Sequence, residues 1–200
     1  MNKWLTKIVL KSERVALRPL TLSHIDGLTD AVKDGELWKL WYTSAPEPQK
    51  VRSYVEKALV DFENDKSLPF VIEKIDNNQI VGTTRFMNAD SINRRVEIGT
   101  TWYSKSFHRT GINTQCKYML LEYAFETLNC IAVEFRTHWH NMQSRNAIAG
   151  LGAKQDGVLR NHIIDKTGNL RDTVVYSILN SEWNTVKQSL EFKVSKNYQS

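Results

Sequence analysis

The chain has 200 residues, 41% of them hydrophobic and 24% charged, which is ordinary for a globular protein and fits one domain with a sizeable core. No apolar run approaches the roughly 18 residues that span a bilayer, and Met1–Leu10 lacks the longer apolar stretch of a secretory signal; no membrane association and a cytoplasmic location are expected. The net charge of +5 is spread along the chain with no zinc-finger, RNA-recognition or basic-zipper pattern, so nucleic acid is not the expected partner, and a polyanionic small molecule accounts for local positive charge as well.

Val15–Leu20 alternates and reads as a first strand. Thr21 or Ser23 can cap a helix running toward Lys33. Trp38, Trp41 and Tyr42 cluster before a proline-containing break at Ala45–Pro48, and a second helix follows from about Gln49 to Asn64, with Val51, Val55, Ala58, Leu59 and Phe62 at helical spacing. Pro69–Ile75 and Gln79–Phe86 read as strands around an Asp76-Asn77-Asn78 turn, and Asn88–Asn93 as a further turn. Val96–Tyr103 is the next strand, with Gly99 expected at a bulge. Asn113–Leu128 has the strongest helical pattern. Ile131–Thr137 reads as a strand and Asn141–Leu151 as a short helix closed by Gly152. Ala153–Val158, His162–Ile164 and Arg171–Ile178 are expected as late strands, the last two joined by Lys166-Thr167-Gly168. A final helix is expected from Ser181 to about Leu190, with a loose tail. The fold expected is α/β (α+β): a mixed, mostly antiparallel central sheet flanked by helices, in a single domain over residues 1–200 with its core at about 12–183. The two cysteines, Cys116 and Cys130, are expected as buried thiols.

The chemistry concentrates between Glu97 and Gly152. The stretch His108-Arg109-Thr110-Gly111-Ile112-Asn113-Thr114 leads into a helix, where free backbone N–H groups and a partial positive charge await an anion. No acidic residue occurs between Glu97 and Glu122, whereas Lys105, Arg109 and Lys117 do. A plain turn capped by Asn113 or Thr114 is the alternative. Asn141-Met142-Gln143-Ser144, followed by Leu151-Gly152-Ala153, is by itself an N-capped helix with a glycine stop. His138 and His140 flank one residue, but no carboxylate or thiolate cluster accompanies them, and no metal is expected.

Taken together, and with the strand between them, these two motifs resemble the GNAT superfamily of N-acetyltransferases. That family carries Gln or Arg, two residues, Gly, one residue, then Gly or Ala at a strand-to-helix turn, followed by a strand and an Asn-x-x-Ser…Leu-Gly-Phe helix. His108 stands here for Gln or Arg, Asn113 for the small residue and Ala153 for Phe. Asn113 either crowds the diphosphate or caps the helix outside the cradle. The resemblance runs from about Ser12 to Trp183 and is best to the branch of ribosomal-protein N-terminal acetyltransferases, whose closing strand Arg171–Ile178 resembles.

The resemblance implies acetyl-CoA as donor co-substrate, with its diphosphate on the amides of Arg109, Thr110, Gly111, Ile112, Asn113 and Thr114 beside His108. The pantetheine arm would pair with the edge of Trp102–Tyr103 and with Asn141. Ser144 would sit near the thiol. An alkyl amine is protonated at neutral pH, so a base is needed. Glu97 is the first choice, expected to share a strand face with Gly99, Thr101 and Tyr103; Glu134 is second. The family's usual helix tyrosine is replaced around Ala147-Ile148, which leaves Ser144 to stabilise the thiolate, with Tyr176 behind it. Trp38, Trp41 and Tyr42 either wall the acceptor site or pack in the core. The acceptor expected is a primary amine, first a protein or peptide N-terminus. A small-molecule amine and a non-catalytic acyl-CoA-binding module are the rivals. The chain is expected as a monomer or homodimer.

Overall fold

Apolar residues two apart, rich in Val, Ile and Phe, dictate a sheet whose two faces must both be covered. The computed structural model describes residues 3–165 and 167–196; Lys166 of the expected late turn and residues 197–200 lie outside it. In chain order the elements are β1 (Leu10–Lys11), β2 (Val15–Pro19), α1 (Ile25–Lys33), α2 (Val51–Glu63), β3 (Ser67–Lys74), β4 (Ile80–Asp90), β5 (Arg95–Tyr103), α3 (Ile112–Glu122), β6 (Ala132–His138), α4 (Met142–Gly150), β7 (Lys154–Ile164), β8 (Leu170–Leu179) and α5 (Trp183–Lys196). The strands form one eight-stranded sheet in the order β1-β2-β3-β4-β5-β6-β8-β7. Every neighbouring pair is antiparallel except β5 and β6, which are parallel because α3 carries the chain back across the sheet.

Two cores follow from strand alternation. Phe70, Phe86, Val96, Ile98 and Phe135 point to one face, under α3 and α5, where Trp183 stacks on Phe125 with ring centroids 5.1 Å apart. Val71 and Trp102 point to the other face, under α1 and α2. There the i, i+4, i+7 series Val51, Val55 and Ala58 is fully buried, which is why this stretch is helical despite its charged outer side.

Several boundaries differ from the sequence reading. Strand β4 runs on to Asp90, so the turn lies at 91–94, closed by Arg94 in the left-handed region at φ 48°. The two expected strands Ala153–Val158 and His162–Ile164 are one strand, β7, with a register irregularity between Leu159 and Ile163 and Asn161 at φ 48°. Helix α5 continues past Leu190 to Lys196. The last turn of the long helix widens into a π-helix over Tyr123–Thr127. The short strand β1 has no counterpart in the sequence reading. Cys116 and Cys130 are free and buried, as expected of small apolar side chains. Among the described residues no helix is long and apolar enough to cross a membrane.

Candidate active site

The site begins where the two parallel strands part. β5 and β6 pair only at Arg95 with Ala132, Val96 with Val133, and Glu97 with Glu134. Beyond Glu97 they diverge, and the cause is in β5. Opposite β4 the register steps from Arg85–Gly99 to Thr83–Trp102, so one extra residue is accommodated as a bulge. Thr100 takes it up at φ 50°, a left-handed backbone for a β-branched residue, costing on the order of 1–3 kcal/mol. Met87 Sδ receives its hydroxyl at 3.5 Å. The slot so opened is part of a cavity of about 490 Å³, lined by Ile98–Tyr103 on one side and Phe135–His138 on the other.

The bulge also corrects the expected facing of Glu97. With the extra residue the alternation inverts. Thr101 turns to the α3 side, where it meets Thr84 at 2.7 Å, and Tyr103 joins the α3 core. Glu97 stays on the α1–α2 side with Gly99, its Oε1 3.0 Å from where a Gly99 Cβ would stand. Glu97 therefore shares its face with Gly99 but with neither Thr101 nor Tyr103.

At one end of the cavity lies the tip of α3. Gly111 is its N-cap at φ 84°, no side chain caps the helix, and its first turn holds no acid. The first helical bond runs from Gln115 N–H to Gly111 C=O at 3.0 Å, so the preceding amides have no helical acceptor. Asn113 does not cap the helix as one reading allowed: its Oδ1 accepts from Tyr103 Oη at 3.0 Å. His108, Arg109, Gly111, Asn113 and Thr114 line the cavity with Trp102 and Tyr103. His108 also donates from Nε2 to the Tyr103 carbonyl at 3.1 Å, which braces the loop. The side chains of Thr110 and Ile112 are turned elsewhere: Thr110 Oγ1 donates to the Phe107 carbonyl at 2.8 Å, and Ile112 is core. Only their backbones are left to a ligand.

The third wall is α4. Asn141 Oδ1 accepts from Ser144 N–H at 3.0 Å and caps the helix, an arrangement worth about 1 kcal/mol. This fixes the amide and leaves Nδ2 as its donor. Asn141, Ser144, Ala147, Ile148 and Leu151 all line the cavity. Tyr176, the second choice for proton donor, is a core residue whose Oη accepts from Arg145 Nε at 3.2 Å; it lies outside the lining.

Residues 14–154 match the family model described as an acetyltransferase (GNAT) domain. The chain belongs to the GNAT acetyltransferases. Over 180 residues it is 27% identical to the N-acetyltransferase p20 of Bacillus licheniformis, itself uncharacterised, covering 87% of this chain and 97% of that one. The crystal structure of a GCN5-related N-acetyltransferase from Brucella melitensis superposes with a TM-score of 0.83 at 26% identity, over 94% of this chain and 85% of that one. The fold is also that of RimL, a ribosomal L7/L12 α-N-protein acetyltransferase, at a TM-score of 0.76 and 18% identity, over 88% and 96% of the two chains.

The acetyltransferase holds its two candidate bases in different states. Burial raises the Glu97 carboxyl above the usual carboxylate range, partly offset by the Asn88 amide, which donates to Oε2 at 2.8 Å, and by Arg136 at 3.5 Å. Burial acts in the same direction on Glu134, but Arg95 at 2.7 Å and Arg136 at 3.1 Å outweigh it and hold that carboxyl low. A carboxylate tied into two guanidinium groups is a poor proton acceptor, so Glu97 is the better placed of the two.

Lys117 is the group that sequence reasoning took only as part of a positive field. It lies on α3 with its Nζ buried against the cavity, donating to Thr101 Oγ1 at 2.7 Å and Thr84 Oγ1 at 3.3 Å. Burial pushes its pKa down to about 7 from 10.5. Only its position on the apolar side of an otherwise regular helix could have marked it. In the unfolded chain the amine keeps its ordinary affinity, so between about pH 7 and 10.5 the unfolded state binds more protons and stability rises with pH. Lys117→Met is expected to raise the unfolding free energy from urea titration at pH 7 by an amount on the order of a few kcal/mol, and to raise it less at pH 10. Equal gains at both pH values would show that the amine is not desolvated.

The far end of the cavity is walled by Leu37, Leu40 and Tyr42–Ala45 from the segment between α1 and α2, with His138 and Arg171. Tyr42 thus lines the cavity, whereas Trp38 packs against the α1–α2 core. Trp41 sits edge-on to His138 at 4.8 Å and lines a neighbouring groove with His140, Asp165 and Asp172. Among the described residues no group of three His, Cys, Asp or Glu is placed to hold a metal ion.

Proposed function

We propose that this acetyltransferase transfers the acetyl group of acetyl-CoA to a primary amine, in first place the N-terminal amine of a protein or peptide. The single observation that carries the reading is the slot between β5 and β6, which connects an uncapped, acid-free helix tip to a face of the sheet bearing a buried carboxyl. The diphosphate lies on the amides from Arg109 to Thr114, where Gly111 leaves the backbone exposed to it. The pantetheine arm follows the unpaired edge of Trp102–Tyr103 and receives the Asn141 Nδ2 donor. RimL, which shares the fold, is named for a protein α-amine, and this supports a peptide N-terminus ahead of a small-molecule amine.

Glu97 accepts the proton of the incoming ammonium through one water, since the carboxyl lies over Gly99 rather than in the lining itself. The free amine attacks the thioester carbonyl and its C–N bond forms. The oxyanion is met by strand N–H groups near Trp102. The C–S bond then breaks, the leaving thiolate is met by the hydroxyl of Ser144, and the second proton of the attacking nitrogen passes to the sulfur to give the CoA thiol. Products are the N-acetylated amine and CoA.

Thiol release from acetyl-CoA in the presence of peptides with free and blocked N-termini, and of small amines, tests the reading. Turnover is expected with peptides whose N-termini are free and not with the blocked ones. Tight acetyl-CoA binding without turnover of any amine would instead leave a binding module.

A further inference from the structure

The charge of the acceptor end does not match an ordinary cationic amine. Among the described residues the cavity lining contains Arg109, Lys117, Arg136 and Arg171 and not one Asp or Glu. Three of the four are accounted for. Arg109 stands at the helix tip where the donor's phosphates are proposed to lie, Lys117 is bound to Thr84 and Thr101, and Arg136 is paired with Glu97 and Glu134.

Arg171 is not accounted for. It stands two residues before Thr173 on β8, and Thr173 pairs with His138 at the end of β6. By alternation Arg171 and Thr173 lie on the face opposite Val174 and Tyr176, whose side chains enter the α3 core. This is the α1–α2 side, away from the tip of α3. The residue is half-buried, its Nε is buried without a hydrogen-bond partner, and among the described residues its guanidinium joins no ion pair, Asp172 beside it being paired with Arg160. The acid that acts on it electrostatically is Asp165, which lies outside the cavity lining and whose Oδ1 is held in its own turn by the Thr167 amide and hydroxyl and the Asn169 amide. A buried guanidinium nitrogen with nothing to donate to is costly, and a carboxylate is the group its planar fork fits best.

We propose that the acceptor carries a carboxylate close to its amine and that Arg171 is the specificity-determining residue that binds it. This rests on the transferase reading above. The carboxylate has two possible sources with one chemistry: that of a free amino acid, or an acidic side chain in the first residues of a peptide. The Arg171 head group reaches it from the β8 side while Tyr42–Ala45 closes over the amine.

The test measures kcat/KM by thiol release for matched acceptors: a free amino acid against its amide, and peptides beginning with Asp or Glu against those beginning with Asn or Gln. The carboxylate member of at least one pair is expected to be preferred by about 10- to 100-fold, the worth of a charge-assisted hydrogen bond, and the pair that shows it identifies the source. Arg171→Gln is expected to bring that ratio close to one, and Arg171→Lys to restore part of it; acetyl-CoA binding by calorimetry reports that each variant is folded. Equal use of both members of every pair overturns the inference and leaves the transferase reading standing. A change confined to the KM for acetyl-CoA overturns it too, by placing Arg171 on the donor. No turnover of any amine sinks the transferase reading instead.

Discussion

Replacing Gly111 by valine is expected to raise the dissociation constant for acetyl-CoA by two orders of magnitude or more while leaving the sheet folded. Gly111 holds φ 84° at the start of α3. A left-handed backbone costs an L-residue roughly 1–2 kcal/mol, and a β-branched one more. The protein escapes that cost by rotating the peptide, which turns away the very amides left without helical acceptors. Each hydrogen bond lost to a charged oxygen is worth about 1.5–3 kcal/mol, so two of them give the expected factor. Gly111→Ala, with a smaller side chain on the same backbone, is expected to fall between the two. Calorimetric titration decides the matter. A valine variant that binds acetyl-CoA within threefold of the wild type removes the helix tip from the proposed cradle.

Glu97→Gln is expected to do two opposite things. The rate constant for transfer at neutral pH should fall by about 10²- to 10⁴-fold, the usual worth of a positioned base, and recover as the pH rises and the amine loses its proton unaided. Stability at the same pH should rise. Burial raises the folded-state pKa of Glu97 above its ordinary 4.5, so the carboxyl favours folding below its unfolded pKa, and that contribution is lost as pH climbs through the folded value. At neutral pH the wild type therefore carries a desolvated carboxylate that glutamine, still able to accept from Asn88, does not. Rate and thermal midpoint moving in opposite directions is the pattern of a charge kept for chemistry. A variant that loses stability and keeps its rate would place Glu97 among the structural ion pairs with Glu134.

Apart from the short β1 and the joined β7, the order of elements was legible because each announces itself locally. The i, i+4, i+7 series of α2, the β-branched run Ile80–Val81 and the Gly152 stop need no tertiary information. The helix tip at Gly111 was legible for the same reason: an absence of acids over a long interval can be read from the chain. The facing of Glu97 was not. Gly99 pointed to a bulge, but which residue would absorb the extra length, and so where the alternation would invert, is decided by the pairing with Arg85 and Thr83 on another strand. Lys117 escaped because a lysine within a helix looks solvent-exposed until Thr84 and Thr101 are brought over it. Arg171 escaped because the want of a partner for its Nε among the described residues shows only once the strands are assembled.

The opening between β5 and β6 pierces the sheet from one side to the other, and that separates two tasks along the chain. Everything proposed to grip the coenzyme comes from the stretch between Trp102 and Leu151, whereas the wall on the opposite side comes, apart from His138, from the segment between α1 and α2 and the start of β8. Evolution or an engineer can therefore rebuild one wall while the other stays as it is, so a change of clientele does not demand a new way of holding the donor.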